Sequence, residues 1–329
     1  MGQVITAIGQ VTPDWLSRIL GQAITQLHTE RVAGGYEGSK WRIAATAADG
    51  STLPLFLKLG SAHEGRFYAA MRDDAGGLPI VPCYDVAISG DEAHILLADL
   101  SATHEARPPS QLPPIGRECE AIIDGLADLH AYWWDNPALD ARLNGALSAS
   151  RGQAFDPEES SIYPAFADFM GDRLSAERRD HYEAVRARLP ELMDRRTAQG
   201  DLTLAFEDVH SGNFLYPRTA GDPLYFIDWE QWGVTLAMND LAYMMALFWS
   251  PERRARLERA YLRRYHARIS GQGVTYGWDA LWDDYRLCVM RFLFRPAWQW
   301  SRGHFTDVWW NHYERINAAY EDLNCADLL

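Results

Sequence analysis

Glu207-Asp208-Val209-His210-Ser211-Gly212-Asn213, followed after a Gly221-Asp222 turn by Ile227-Asp228-Trp229-Glu230, decides how this chain is read. Short β-like runs flank the two segments, at residues 202–206, 214–216 and 224–227, in a region whose apolar spacing is otherwise helical. Polar residues set between short strands lie on loops carried by a rigid support, which is where chemistry concentrates. Asp208, Asn213 five residues on and Asp228 twenty residues on supply two carboxylates and an amide. Taken singly, Asp208 or Asn213 reads as a turn residue bonding its own backbone. The D-x-H-x-x-N spacing, the strand on each side and the apolar-Asp-Trp segment together favour a chemical role.

The chemistry that needs such a set is phosphoryl transfer, where one carboxylate orients a hydroxyl nucleophile and oxygen ligands hold magnesium against phosphate. The first third of the chain supplies the nucleotide end. Ala33-Gly34-Gly35-Tyr36-Glu37-Gly38-Ser39 runs into a strand at residues 41–47, and its glycines would let backbone amides approach phosphates. Ala48-Asp49-Gly50-Ser51 then gives the turn of a hairpin with a second strand at 53–59. Lys58 sits in that second strand, in Leu55-Phe56-Leu57-Lys58-Leu59, where an unpaired ammonium is costly and an anion is needed. A helix at 64–71 brings Glu64, and another strand pair, 81–89 and 92–97, turns at Gly90-Asp91. A lysine snorkelling to water beside a solvated glutamate is the plain alternative for Lys58 and Glu64.

With these parts in place, the sequence resembles the aminoglycoside phosphotransferase and choline kinase superfamily, whose catalytic loop reads H-G-D-x-H-x-x-N and whose metal segment reads I-D-W/F-E. The resemblance implies Asp208 as catalytic base, His210 as a shaper of the catalytic loop, and Asn213 and Asp228 as magnesium ligands. It implies Gly35, Gly38, Ser39, Lys58 and Glu64 at the nucleotide, with Lys58 and Glu64 as the lysine–glutamate pair of kinase folds. Ile95-Leu96-Leu97-Ala98-Asp99-Leu100 resembles the hinge at the adenine edge, so Asp99 and Leu100 are carried as nucleotide contacts, with capping of the next turn as the alternative for Asp99. Asp240, in Asn239-Asp240-Leu241-Ala242-Tyr243, reads as structural support, a brace for the catalytic loop. The departure is Phe206-Glu207 in place of the family's His-Gly, where Phe206 can take over packing and Glu207 adds charge beside the base.

The implied fold is α+β and bilobal, protein-kinase-like: residues 1–105 as a nucleotide-binding lobe built on a small antiparallel sheet, and 106–329 as a largely helical catalytic lobe. The proline-rich run from Arg107-Pro108-Pro109 to Pro113-Pro114 marks the boundary, because it cannot be a helix interior. Beyond it, Cys119, Ile122, Leu126 and Leu129 form one helical stripe within 115–134, and helices are expected at 251–266 and 278–295. The basic face of the former is read as solvated.

Composition narrows the class. At 329 residues and 47% apolar, the chain can build a full core. Its net charge of −14 argues against a nucleic-acid partner and suits either a cationic acceptor or plain solubility. Four scattered cysteines suggest neither zinc nor a disulfide framework and make a reducing cytoplasm the default; no segment reads as a leader or a membrane span. Six of the 13 tryptophans fall from Trp278 onward, which suits either core packing or an aromatic pocket for an acceptor. The expected partners are therefore a nucleoside triphosphate, ATP with GTP admitted, and a small hydroxyl-bearing acceptor. Two rivals remain: a nucleotide-binding regulator with little catalysis, suggested by Phe206-Glu207, and a metal-dependent hydrolase using Asp208, His210 and Asp228. The hydrolase leaves the glycine loop and Lys58 without a purpose.

Overall fold

The computed structural model describes residues 3–33, 38–74, 77–108, 112–151 and 158–329. Along the chain the elements are α1 (Pro13–Leu20), β1 (Ile24–Val32), β2 (Ser39–Ala47), β3 (Thr52–Ser61), α2 (Ala62–Met71), β4 (Cys83–Ser89), β5 (Glu92–Ala98) and β6 (His104–Ala106). There follow α3 (Gly116–Trp133), α4 (Ala138–Arg142), α5 (Ala146–Ser150), α6 (Glu158–Ser161), α7 (Tyr163–Met170), α8 (Ala176–Ala198), β7 (Leu202–Ala205), β8 (Phe214–Pro217), β9 (Tyr225–Phe226) and β10 (Gly233–Leu236). The chain ends with α9 (Met238–Ala242), α10 (Pro251–Gly271), α11 (Trp278–Phe292), α12 (Arg295–Ser301) and α13 (Thr306–Asp322). Two compact units emerge: Met1–Gln111 with Ser211–Trp232, and Leu112–His210 with Gly233–Leu329.

The first unit is organised by an antiparallel sheet of order β1-β2-β3-β5-β4. Both expected hairpins are present: β2 pairs with β3 from Ser39 opposite Leu59 to Thr46 opposite Thr52, and β4 with β5 around Gly90. Ile43, Ala45, Leu55 and Leu57 face inward and pack with Leu16 of α1, so the period-two pattern of β2 and β3 becomes the core of this unit. The sequence reading has no β1. That strand, Ile-Thr-Gln-Leu-His-Thr-Glu-Arg-Val, leaves most residues exposed on the sheet edge, and its polar composition carries no alternation. A second, three-stranded sheet of order β6-β8-β9 belongs to the same unit.

The second unit is helical, with the two-stranded β7–β10 ladder inside it. The stripe Cys119, Ile122, Leu126 and Leu129 of α3 is fully buried, as its spacing requires. The basic face of α10 is less free than the sequence suggests. Arg264 and Arg268 form two-oxygen pairs with Asp124 and Asp128 of α3, while Arg259 and Arg263 lie over the Trp282 and Trp278 rings at 4.5 and 4.6 Å. Of the late aromatics, Tyr285, Phe292, Trp309 and Tyr313 are core, whereas Trp298, Trp300 and Trp310 are half-buried. No helix among the described residues is long and apolar enough to cross a membrane.

Candidate active site

In the sheet unit, Lys58 stands on β3 between the buried Leu57 and Leu59 and is itself only 7% exposed. Its Nζ lies 2.6 Å from Glu64 Oε1, 2.7 Å from Asp228 Oδ1 and 3.9 Å from Glu230 Oε1. Burial alone would depress this ammonium, yet the carboxylates of Glu64 and Asp228 outweigh it and hold the lysine charged, above its ordinary range. Glu64 is placed by α2, whose first turn is capped by the Ser61 hydroxyl accepting from the Glu64 N–H. The Trp229 N–H donates to Glu64 Oε1 at 3.3 Å.

Asp228 is held by its surroundings in a conformation that L residues avoid, with φ of +67°. β8 and β9 pair Phe214 with Phe226, and the Ile227 N–H donates to the Asn213 carbonyl at 3.0 Å. Asn213 and Asp228 therefore sit just beyond the paired strands at one end of this ladder. Two stacked contacts fix the segment after Phe226 onto α2: Trp229 on Phe67, centroids 3.9 Å apart, and Trp232 on His63, 4.5 Å apart. The Trp232 indole N–H also donates to the His63 carbonyl at 2.9 Å.

Carboxylate oxygens of Glu64, Asp228 and Glu230 lie within 4.8 Å of one another. Lys58 is one counter-charge, and Lys40 of β2, 3.7 Å from Asp228 Oδ2, is another. Three negative charges against two positive leave the cluster acidic, and burial together with the neighbouring Asp228 pushes the Glu230 carboxyl up. An all-oxygen, net-negative set of this kind, with Asn213 tied through its carbonyl to the residue before Asp228, fits magnesium rather than a softer metal.

The glycine loop's Gly35 lies outside the described residues. Gly38, at φ of +69°, passes so close to β3 that a Cβ there would meet the Leu59 carbonyl oxygen at 2.1 Å. Ser39 opens β2, and its hydroxyl accepts from the Trp41 indole N–H. Asp99 follows β5 and accepts from the Ser101 N–H at 2.9 Å while pairing with Arg42 at 3.3 Å, so its side chain caps a turn. The Leu100 carbonyl accepts from Thr103 and His104 N–H groups.

In the helical unit, β7 delivers Phe206, Glu207 and Asp208 into a turn tied to Asp240. The Phe206 N–H donates to Asp240 Oδ2 at 2.7 Å and the Glu207 N–H to Oδ1 at 2.8 Å. His130 Nε2 approaches the same Oδ2 at 3.1 Å, and its Nδ1 meets the Tyr265 hydroxyl at 2.8 Å. Asp240, wholly buried, thus braces the turn after β7 through two main-chain donors. Phe206 is fully buried, in keeping with a packing role. Glu207 adopts φ of +63°, its carboxylate lies across Gly233 where a Cβ would come within 2.8 Å, and Arg291 pairs with it at 3.3 Å. Arg291 also donates to the Asn239 side-chain oxygen.

Asp208 Oδ1 accepts from the Tyr243 hydroxyl at 2.7 Å, and its other oxygen lies 3.4 Å from His210 Nε2. The His210 N–H donates to the Asp208 carbonyl at 2.9 Å, closing the loop on itself. Burial, then the Asp208 charge, pushes the Tyr243 hydroxyl well above its ordinary range, so it stays a donor. Sequence reasoning passed over Tyr243. It opens a π-helical turn, Tyr243–Leu247, and π turns recur where a side chain must be re-aimed. Its only signal was its place three residues after Asp240. Lys40 and Arg291 were passed over too: Lys40, one of only two lysines in the chain, does not stand in an apolar run like that around Lys58, and Arg291 is one arginine among many.

The model of the phosphotransferase enzyme family matches residues 28–282. Among solved structures, an aminoglycoside phosphotransferase candidate from Ralstonia eutropha superposes with a TM-score of 0.63 at 14% identity, over 95% of this chain and 97% of that one. The choline kinase LicA from Streptococcus pneumoniae, also solved in complex with AMP, gives 0.50 at 18% identity over 94% and 96%. An ethanolamine kinase from Plasmodium vivax gives 0.53 at 12% identity over 89% and 81%. At such identities the likeness is one of fold: α+β and protein-kinase-like. No curated protein matches the chain by sequence.

Proposed function

This chain belongs to the phosphotransferase enzyme family, acting on an alcohol acceptor, and from that premise we propose that it moves the γ-phosphate of magnesium-bound ATP or GTP onto a hydroxyl of a small molecule. The observation that carries the reading is the Lys58–Glu64–Asp228 cluster, a buried ammonium held between a helix carboxylate and a strained aspartate in the order kinase folds use. Residues 1–105 serve as the nucleotide lobe and 106–329 as the catalytic and acceptor lobe.

Lys58 neutralises charge on the phosphates, and Glu64 holds its ammonium in place. Gly38 and Ser39, with Gly35, bring main-chain amides to the phosphates, while Asp99 and Leu100 border the adenine. Asn213 and Asp228 would hold magnesium, which supplies charge neutralisation on phosphate oxygens. Asp208 orients the acceptor hydroxyl and takes its proton as the oxygen attacks in line, the Tyr243 hydroxyl and His210 fixing the carboxylate's aim. Such transfer leaves the protein little covalent work: positioning and electrostatics carry the rate. Nucleic acid and membrane have no part in it, and the cytoplasm, where the nucleotide is plentiful, is its place.

The test is thermal stabilisation by ATP and by GTP, each with and without magnesium, on the native chain and on Asp228→Ala. Magnesium-dependent stabilisation that disappears in the variant is expected, and a screen of hydroxyl-bearing acceptors with labelled nucleotide then follows. No stabilisation at millimolar nucleotide would sink the reading.

A further inference from the structure

Directly across the sheet from Lys58 stands a second lysine. In the β2–β3 register Lys40 is the partner of Lys58, so the two ammonium-bearing side chains leave the same face side by side. Like charges directly opposite one another destabilise a strand pair, and here both strands belong to the core sheet of the unit. The two lysines bracket one carboxylate, Lys58 on Asp228 Oδ1 at 2.7 Å and Lys40 on Oδ2 at 3.7 Å. Their situations differ. Lys58 donates to both Glu64 and Asp228, whereas the Lys40 ammonium makes no hydrogen bond among the described residues and touches a single carboxylate beyond hydrogen-bond reach. Its side chain is only 18% exposed. A half-buried ammonium with donors to spare, beside another ammonium, is short of an anion with several oxygens.

We infer that Lys40 is a second phosphate-binding cation, contacting triphosphate oxygens of the nucleotide alongside Lys58. It follows Gly38 and Ser39 directly in the chain, so it enters the sheet where the close Gly38–Leu59 approach begins. Two lysines on one face offer a chain of phosphates two points of attachment, which one lysine engaged by two carboxylates does not. A triphosphate is the anion that matches this spacing of charge, because adjacent phosphates repeat their oxygens along a line. The inference rests on the nucleotide reading above.

The experiment compares dissociation constants for ATP and for adenosine, both with magnesium, by calorimetry on the native chain, Lys40→Met and Lys40→Arg. Methionine keeps the aliphatic stem and removes the charge. The expected result is that Lys40→Met weakens ATP about tenfold or more, as loss of a charged hydrogen bond does, with adenosine unchanged and much of the ATP affinity restored in Lys40→Arg. Unchanged adenosine affinity also shows that the variant is folded. ATP affinity equal to the native chain's, or ATP and adenosine weakened alike, overturns the role of Lys40. A native chain that binds ATP no better than adenosine overturns the nucleotide reading itself, and the inference with it.

Discussion

Replacing Asp240 tests whether the turn after β7, the proposed catalytic loop, is held by two main-chain hydrogen bonds. In the native protein each oxygen of this buried carboxylate accepts one backbone N–H, from Phe206 at 2.7 Å and Glu207 at 2.8 Å, and Oδ2 also meets His130. Asparagine has the same shape but one oxygen. Whichever way its amide turns, an NH2 group faces a backbone N–H, and a buried donor left unpaired costs about 1–3 kcal/mol. Loss of the negative charge weakens the remaining bond as well, so Asp240→Asn is expected to cost about 3 kcal/mol. Asp240→Ala strands both donors and His130, and its cost approaches ~5 kcal/mol, as for breaking a buried pair. Thermal unfolding should therefore rank native, then Asn, then Ala. Activity should fall further than stability implies, because Asp208, the proposed base, is the next residue after Glu207 and a displacement of ~1 Å at a reacting group costs on the order of 100-fold. Acceptor-dependent turnover measured well below the melting temperature separates the two effects. An Asp240→Asn protein that melts and turns over like the native chain would refute the brace.

Gly38→Ala should lower the melting temperature by several degrees and weaken nucleotide binding, since the added methyl meets the Leu59 carbonyl at 2.1 Å in a left-handed conformation; an unchanged melting curve would refute that contact. Glu207→Gly and Glu207→Ala lose the same ion pair with Arg291, yet glycine should be the more stable of the two by about 1 kcal/mol, because only alanine keeps the strain of φ +63°; chemical denaturation measures the difference. Tyr243→Phe should reduce kcat by roughly tenfold with little change in nucleotide affinity, as one donor to Asp208 is removed. His312 is buried, and its burial with Arg315 and Arg295 close by pushes the imidazole down to about 3 from 6.5. A depressed folded value means the neutral ring stabilises above pH 6.5, with stability lost as pH falls from there towards 3, by roughly 1.4 kcal/mol per unit at most. His312→Asn, which keeps a donor for the Gln299 side chain, should flatten that acid limb in urea titrations at stepped pH.

Much of the architecture could be read beforehand because its signals are local. The two hairpins announce themselves at Ala48-Asp49-Gly50-Ser51 and Gly90-Asp91, and Lys58 stood out because an ammonium in an apolar strand needs a partner. Asp208, Asn213 and Asp228 were legible as a spacing. β1 was not, since an edge strand buries little and has no apolar alternation to betray it. Nor were partners set by tertiary packing: Tyr243 reaches Asp208 across 35 positions of sequence through a π turn, and Lys40 gains meaning only from the register that sets it opposite Lys58. The left-handed turns at Glu207 and Asp228 carry no glycine to mark them, because their neighbours impose the conformation.

The stacking of Trp229 on Phe67 and of Trp232 on His63 makes α2 a common handle for two carboxylates. Glu64 is built into that helix, and the segment bearing Asp228 is riveted to it by rings rather than by the chain. Any force that slides or tilts α2 would withdraw the anchor of Lys58 and displace Asp228 in the same stroke. Damage to either stack should thus behave as a master fault, silencing both ends of the cluster at once, while a compensating change in the opposite ring of the pair restores them together.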